Sequence, residues 1–250
     1  MRKRSEHLAF SAMDMQSLSL DVDQARVSIA GTDADGYDVR FCAQAGGASE
    51  NEARRLLEHV TLARTNELLK IRKPTNSRNH PTDAWLRVAA PRHRAVTANG
   101  NYSYTEIVGM DASVRVVTTH ARVKLLGVAG DVSATAGSID FAGDSGRIRL
   151  SAGGEINLKL IAPRFDGTLE ATADVAIRVL LSPAFQSSFE AVVDRPERFM
   201  CRGAFAPHVR RHDREGRVVF TYGPGIPALR FVSHGVLVID SGEQPIANSH

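Results

Sequence analysis

Six short units between Ser113 and Pro163 decide the fold of this chain: SVRVVTTHA (113–121), RVKLLGVAG (122–130), DVSATAGS (131–138), IDFAGDSG (139–146), RIRLSAGG (147–154) and EINLKLIAP (155–163). Near the head of each unit stands one β-branched residue, namely Val114, Val123, Val132, Ile139, Ile148 and Ile156. Apolar and polar residues alternate inside the units, as they do in half-buried strands. Short strands that recur at a nearly constant spacing indicate a coiled β-solenoid.

Length and composition agree with an all-β chain. At 250 residues and 43% hydrophobic content it can bury a substantial core, and one domain of this size is reasonable for an all-β protein. Only 6% of the residues are aromatic, with Trp85 as the single tryptophan, which suits a narrow interior of stacked aliphatic side chains. We expect a single solenoid domain over 1–242, with N-terminal strands, a helix and a loop at 1–85, regular repeats at 86–182 and C-terminal strands at 183–242, followed by a flexible tail at 243–250.

The charge balance excludes some partners. Because 31 basic residues face 28 acidic ones, the net charge of +3 is too small for a nucleic-acid-binding signature. No segment approaches the roughly 18 apolar residues that a membrane span needs. The basic start at 1–4 lacks the apolar run of a signal peptide, so the sequence predicts a cytoplasmic protein, or an exported or cell-surface one if a leader has been removed.

One short helix interrupts the strands. Ser49 and Glu52 have the spacing of a capping box, and an apolar stripe follows at Ala53, Leu56, Leu57 and Val60. We therefore expect a helix near residues 50–60, lying against a sheet edge or plugging one end of the solenoid. The polar segment 73–81, bracketed by prolines, is predicted to be a loop.

The order of these parts resembles the bacterial putative-adhesin β-solenoid domains of unknown function. The resemblance rests on an early strand–turn pair at 18–31, a strand ending in Pro91, and glycine-punctuated units such as GDVSA (130–134) and GSID (137–140). It implies a right-handed parallel β-solenoid without an established activity. Several units lack the closing glycine, and the C-terminal part is richer in strands than the pattern requires.

Motifs that mimic catalytic sites have simpler explanations. Gly143-Asp144-Ser145-Gly146 is similar to a serine-protease nucleophile segment, but His120 is too close in sequence to Ser145 for the protease order, and a tight corner favours the same residues. The carboxylates of the repeats are expected to be outward or turn residues rather than a polysaccharide-cleaving set; they are Asp131, Asp140, Asp144, Glu155, Glu170 and Asp174. We predict no catalytic residue, no cofactor and no enzyme.

Two histidines and two cysteines have alternative interpretations. His208 and His212 would face one way on a helix and could ligate a metal, but the prolines, glycine and charges around them favour a solvated loop at 207–217, and the same cluster could bind phosphate or an acidic partner. Cys42 and Cys201 lie in apolar alternating contexts, which predicts buried, reduced thiols, with a disulfide between them left open.

Basic residues at outward positions of the repeats indicate a possible binding surface. Stacked units place such positions in columns, so one face is expected to carry a basic stripe. The alternative is that these charges only keep the protein soluble. The candidate residues of the stripe are Arg115, Arg122, Lys124, Arg147 and Arg149, with Lys159 nearby. The sequence thus predicts a non-catalytic binding or scaffold protein with a protein or carbohydrate surface as partner. The alternatives are a self-assembling structural protein and a carbohydrate-active β-helix enzyme.

Overall fold

Strands make up most of the chain in the computed structural model, which describes residues 1–11, 13–73, 82–101, 103–214 and 216–242. The chain divides into two compact units, unit 1 at Met1–Gly137 and unit 2 at Ser138–His250. A single domain over 1–242 stays a prediction. The expected tail at 243–250, and the expected loop apart from its first residue Lys73, lie outside the described residues.

Unit 1 contributes strands to two sheets and contains one helix among its described residues. Its elements are β1 Arg2–Ser11, β2 Ser17–Val22, β3 Arg26–Thr32, β4 Gly36–Ala45, α1 Glu50–Glu58, β5 Thr61–Thr65, β6 Leu68–Arg72, β7 Thr82–Pro91, β8 Ala95–Asn101, β9 Tyr104–Val108, β10 Val114–Thr119, β11 Arg122–Leu126 and β12 Asp131–Ala136. The first sheet has the order β1-β4-β7-β3-β9-β11, and the second has the order β5-β6-β2-β8-β10-β12. The pairs β1–β4, β4–β7 and β5–β6 are antiparallel, whereas the other pairs are parallel.

Unit 2 also contributes strands to two sheets. Its elements are β13 Ser138–Ala142, β14 Ser145–Ala152, β15 Glu155–Leu160, β16 Asp166–Ala173, β17 Ala176–Leu181, β18 Phe189–Val193, β19 Phe199–Cys201, β20 Arg210–Arg214, β21 Arg217–Tyr222, β22 Leu229–Ser233 and β23 Val236–Ser241, with 3₁₀ turns at Pro196–Arg198 and Gly203–His208. The strands β13-β15-β17-β23-β19 are all parallel. In the order β14-β16-β22-β18-β21-β20, the last two pairs are antiparallel.

The expectation of an all-β chain is confirmed, but the prediction of a right-handed parallel β-solenoid is wrong. The described strands belong to two mixed sheets of 11 and 12 strands, in which antiparallel pairs occur beside parallel ones. The repeat at 113–163 forms parallel pairs, such as β10 with β12 and β13 with β15. The antiparallel pairs come from segments before and after that repeat, and the spacing of the repeat carries no information about the direction of those strands.

The apolar positions of the repeat form the core, as the alternation predicts. The six β-branched residues at the heads of the units are at most 2% exposed; they are Val114, Val123, Val132, Ile139, Ile148 and Ile156. Register places like residues beside each other, because Ile156 pairs with Ile139 on one side and with Ile177 on the other. Full burial of each such side chain stabilises the fold by about 1.5–3 kcal/mol.

The predicted helix is present as α1. Its N-cap Ser49 accepts a hydrogen bond from the Glu52 amide at 3.2 Å, and the Glu52 carboxylate accepts one from the Ala48 amide at 2.7 Å. Capping residues of this kind satisfy amides that have no partner within the helix. The helix buries Ala53 and Leu57 and packs against β1 and β4, of which β1 is an edge strand of its sheet.

Candidate functional site

The most distinctive surface of unit 1 is the outer side of strands β7, β3, β9 and β11. In β7 the residues Leu86 and Val88 point into the core, so that Trp85 and Arg87 point outward. Strand register then aligns two outward rows; the first consists of Trp85, Arg26, Tyr104 and Arg122, and the second of Arg87, Ser28, Glu106 and Lys124. We refer to these eight residues as the Trp85 face.

A groove of about 800 Å³ runs along the Trp85 face. Seven of the eight residues line it, all except Lys124, together with two core residues at its floor, Val27 and Leu86. Trp85 and Tyr104 lie on the two strands that flank β3, so their backbones are about 10 Å apart. Trp85 also lines a second groove of about 470 Å³ on its other side, beside Cys42 and Gln44.

The larger groove has both aromatic residues of the Trp85 face, Trp85 and Tyr104, in its walls. Its volume lies within the range of about 300–1,000 Å³ that is usual for small-ligand sites.

The charges of the Trp85 face leave an excess of guanidinium groups. Glu106, the acidic residue of the face, forms an ion pair with Lys124, in which Oε1 of Glu106 lies 2.9 Å from Nζ of Lys124. Among the described residues, neither Arg26 nor Arg87 has a carboxylate within ion-pair distance. Both arginines are exposed, while Trp85 and Tyr104 are half-buried. Such a face combines flat apolar rings with donors that suit a carboxylate or another oxyanion.

The structure distributes the predicted basic stripe over several strands. Arg122 and Lys124 lie together on β11, in the first sheet of unit 1, and Arg115 lies on β10, in the second sheet of that unit. Arg147 and Arg149 lie together on β14 of unit 2, where Arg149 is in register with Glu170. Only Arg122 and Lys124 belong to the Trp85 face, and a stripe of all five residues stays a prediction.

Sequence reasoning missed Trp85, Arg26, Tyr104 and Arg87 as members of one site. A local signal existed for β7, because strict alternation in Thr82–Pro91 places Trp85 and Arg87 opposite the aliphatic residues. The neighbours on β3 and β9 could not be found in this way. They reach Trp85 through strand pairing between segments that are distant in the sequence.

Comparison with known proteins gives weak likenesses only. No known family and no curated protein matches the chain. It is similar to a putative cell adhesion protein from Clostridium sporogenes ATCC 15579 (11% identity, TM-score 0.39, 96% of this chain and 99% of that chain). It is also similar to a putative adhesin from Bacteroides fragilis NCTC 9343 (10% identity, TM-score 0.41, 95% and 97%) and to a putative lipid binding protein from Parabacteroides distasonis ATCC 8503 (7% identity, TM-score 0.34, 95% and 96%).

These neighbours include putative adhesins, the class of protein that the sequence resembles. Identities near 10% and TM-scores below 0.5 carry neither a family nor a function to this chain. The assignment of a function therefore rests on the residues of the chain itself.

The protease-like segment covers the connection between two strands and the first two residues of the second strand. Gly143 and Asp144 separate β13 from β14, and Gly146 has a positive φ of 112°. His120 lies in unit 1, in the turn between β10 and β11, and has a φ of 54°. The expected corner is thus a strand connection, for which glycine supplies backbone angles that other residues rarely adopt.

Several carboxylates of the repeats have structural partners. Glu155 accepts a hydrogen bond from Arg178 at 2.5 Å, and Asp140 accepts one from the Asn157 amide at 3.0 Å. Glu170 is bound by Arg230 at 3.0 Å. Asp131, Asp144 and Asp174 lie at the start of β12, before β14 and after β16.

His208 and His212 line the same cleft, but not as the ends of a helical turn. His208 ends the 3₁₀ turn Gly203–His208, and His212 lies in β20, so the expected loop at 207–217 is wrong over Arg210–Arg214. Pairing with β21 supplies the backbone hydrogen bonds of this strand despite its polar sequence. In the described part of the chain, no three His, Cys, Asp or Glu side chains converge as a metal site.

The two cysteines are free thiols in different environments. The prediction of a buried thiol is wrong for Cys42, which is exposed on β4, in register with Trp85 of β7. Strand β4 alternates, and its inward positions are taken by Phe41 and Ala43. Cys201 is partly buried, and burial, with a smaller contribution from Asp240, raises its pKa to about 11.

Within the described residues, no helix has the length and apolar character needed to cross a membrane.

Proposed function

We propose that this chain is a non-catalytic binding protein whose Trp85 face takes an acidic polysaccharide. The observation that carries the proposal is the row in which Arg26 lies between Trp85 and Tyr104 in strand register. Aromatic rings offer apolar faces to the flat sides of sugar rings, and a guanidinium group between them suits a sugar carboxylate. An open groove along several strands accepts an extended chain better than a compact molecule.

A sparsely charged glycan fits this face better than a nucleic acid. The positive groups of the face are diluted by Glu106, and the whole chain carries a net charge of only +3. Binding of nucleic acid depends on neutralising many phosphates, which requires a denser basic surface. The proposal therefore keeps the expectation that nucleic acid is not a specific partner.

Titration of Trp85 fluorescence tests the proposal, because Trp85 is the single tryptophan of the chain. A hyaluronan hexasaccharide, which carries a carboxylate on every second sugar, is compared with a neutral cello-oligosaccharide and with oligothymidylate. We expect saturable binding of the acidic sugar, weaker binding of the neutral one and no saturable binding of the oligonucleotide. Release of new reducing ends from the hyaluronan hexasaccharide would contradict the non-catalytic part of the proposal.

Matched variants locate the site, with calorimetry replacing fluorescence where Trp85 is removed. Trp85→Ala and Arg26→Gln are each expected to lower the affinity about tenfold, as the loss of a central aromatic anchor or of a charged hydrogen bond does. Arg115→Gln is the control, since Arg115 is also exposed but lies on the second sheet of unit 1. Equal losses in Arg26→Gln and Arg115→Gln would mean general charge attraction, and would refute the assignment of this face.

The self-assembling and carbohydrate-active alternatives gain no specific support from the described residues. A cytoplasmic location also stays a prediction.

A further inference from the structure

A second candidate site lies wholly within unit 2, at the hairpin formed by β20 and β21. It is a cleft of about 620 Å³ lined by Pro207, His208, Val209, Arg210, His212, Thr221, Tyr222, Gly223 and Pro224. Arg210 and His212 are two residues apart on β20 and therefore project to the same side of the strand. Arg210 is in register with Thr221, whose hydroxyl lies 3.3 Å from Nε2 of His212.

Packing fixes the walls of this cleft. The Tyr222 ring stacks on Phe189 with centroids 5.2 Å apart and meets Phe205 edge-on at 5.3 Å. Its hydroxyl donates to the carbonyl oxygen of Phe185 at 3.4 Å. Phe205 is 2% exposed and anchors the 3₁₀ turn that ends at His208. The half-buried Tyr222 ring is thus held against buried aromatic residues, and the exposed His208 follows directly on a turn that Phe205 anchors.

Two acidic residues on the strands around the cleft are bound by other arginines. Glu190, which is in register with Thr221, is bound by Arg230 at 3.1 Å. Asp213 alternates to the opposite side of β20 and pairs with Arg211 at 3.2 Å. Among the described residues, the polar side chains that line the cleft are Arg210, two imidazoles and the hydroxyl groups of Thr221 and Tyr222, without a carboxylate.

We propose that this cleft binds a phosphate monoester of a small organic molecule. Arginine presents a planar fork of donors that matches phosphate oxygens, and imidazole and hydroxyl groups add further donors. The volume exceeds what a single phosphate fills, and Tyr222 with the two prolines provides an apolar wall for an organic body. This site is independent of the Trp85 face, which lies in unit 1.

Calorimetry on the full chain tests the site with three probes: phenyl phosphate, inorganic phosphate and phenol. We expect saturable binding of phenyl phosphate with a Kd in the millimolar range or tighter, weaker binding of inorganic phosphate, and none of phenol. Equal affinity for inorganic and phenyl phosphate would overturn the organic part of the proposal. The absence of saturable binding by either phosphate would overturn all of it.

Variants on the two sides of β20 supply the control. Arg210→Gln is expected to weaken phenyl phosphate binding about tenfold, the usual loss for a charged hydrogen bond, and His212→Gln to weaken it less. Arg211→Gln removes the same charge from the opposite side of the strand and is expected to leave the affinity unchanged. An equal loss in Arg211→Gln would show that net charge alone attracts the probe, and would refute the site.

Discussion

Replacing Gly167 by alanine is expected to destabilise unit 2 strongly. Gly167 is the second residue of β16 and is in register with Gly146 of β14, and its φ of 128° belongs to a region that only glycine adopts readily. A Cβ atom there would lie 2.2 Å from the carbonyl oxygen of Gly146, a backbone atom that moves only if the two strands separate. The backbone conformation costs about 1–3 kcal/mol and the overlap about as much again. Alanine also restricts the unfolded chain, which offsets about 0.4–1 kcal/mol. The expected net loss is about 3 kcal/mol.

Gly225→Ala is the matched control for this substitution. Gly225 has a φ of 80° and nothing within 4 Å of its added Cβ, so only the left-handed backbone opposes alanine, at about 1–2 kcal/mol. Chemical denaturation followed by circular dichroism gives the two losses, and hydrogen–deuterium exchange of peptides from β14 and β16 shows whether the effect is local. If the two variants lose the same stability, close approach of β14 and β16 is not what requires glycine at 167.

Two further predictions concern titratable groups. At pH 8, one thiol per chain is expected to react rapidly with an aromatic disulfide reagent, because Cys42 is exposed while Cys201 is partly buried with a pKa of about 11. The Cys42→Ser variant should lose the fast phase of the reaction. A fast phase that persists in this variant would contradict the account. The pKa of Glu67 is held below its usual range by hydrogen bonds from the Ser17 hydroxyl and from the amides of Gln16 and Ser17, so its contribution to stability is complete above the unfolded-state pKa and is lost as the pH falls through the lower folded-state pKa. Unfolding curves measured from pH 7 to pH 3 should show that the Glu67→Gln variant loses less stability in acid than the unchanged chain does. Identical pH profiles would contradict this role of the Glu67 carboxylate.

The sequence predicts the local elements because their causes are local. Alternation at Val114 and Arg115, and in the units that follow, determines which side chains a strand can bury, and the pairing of Ser49 with Glu52 determines where the helix begins. The strand β20 was missed since RRHDR has no apolar side and gains its backbone partners only from β21. The candidate site was found in part, through Arg122 and Lys124.

What the sequence by itself determined, then, is the all-β character, the core positions of the repeat and the α-helix that follows Ser49. The tertiary structure decided the direction and the neighbours of each strand. Antiparallel pairing of β4 with β1 and β7, and the meeting of Trp85 with Arg26 and Tyr104, depend on contacts between segments far apart in the chain. The physical reason is that alternation specifies the face on which a side chain lies, whereas the register between strands specifies its neighbours, and register is fixed only when the sheets assemble.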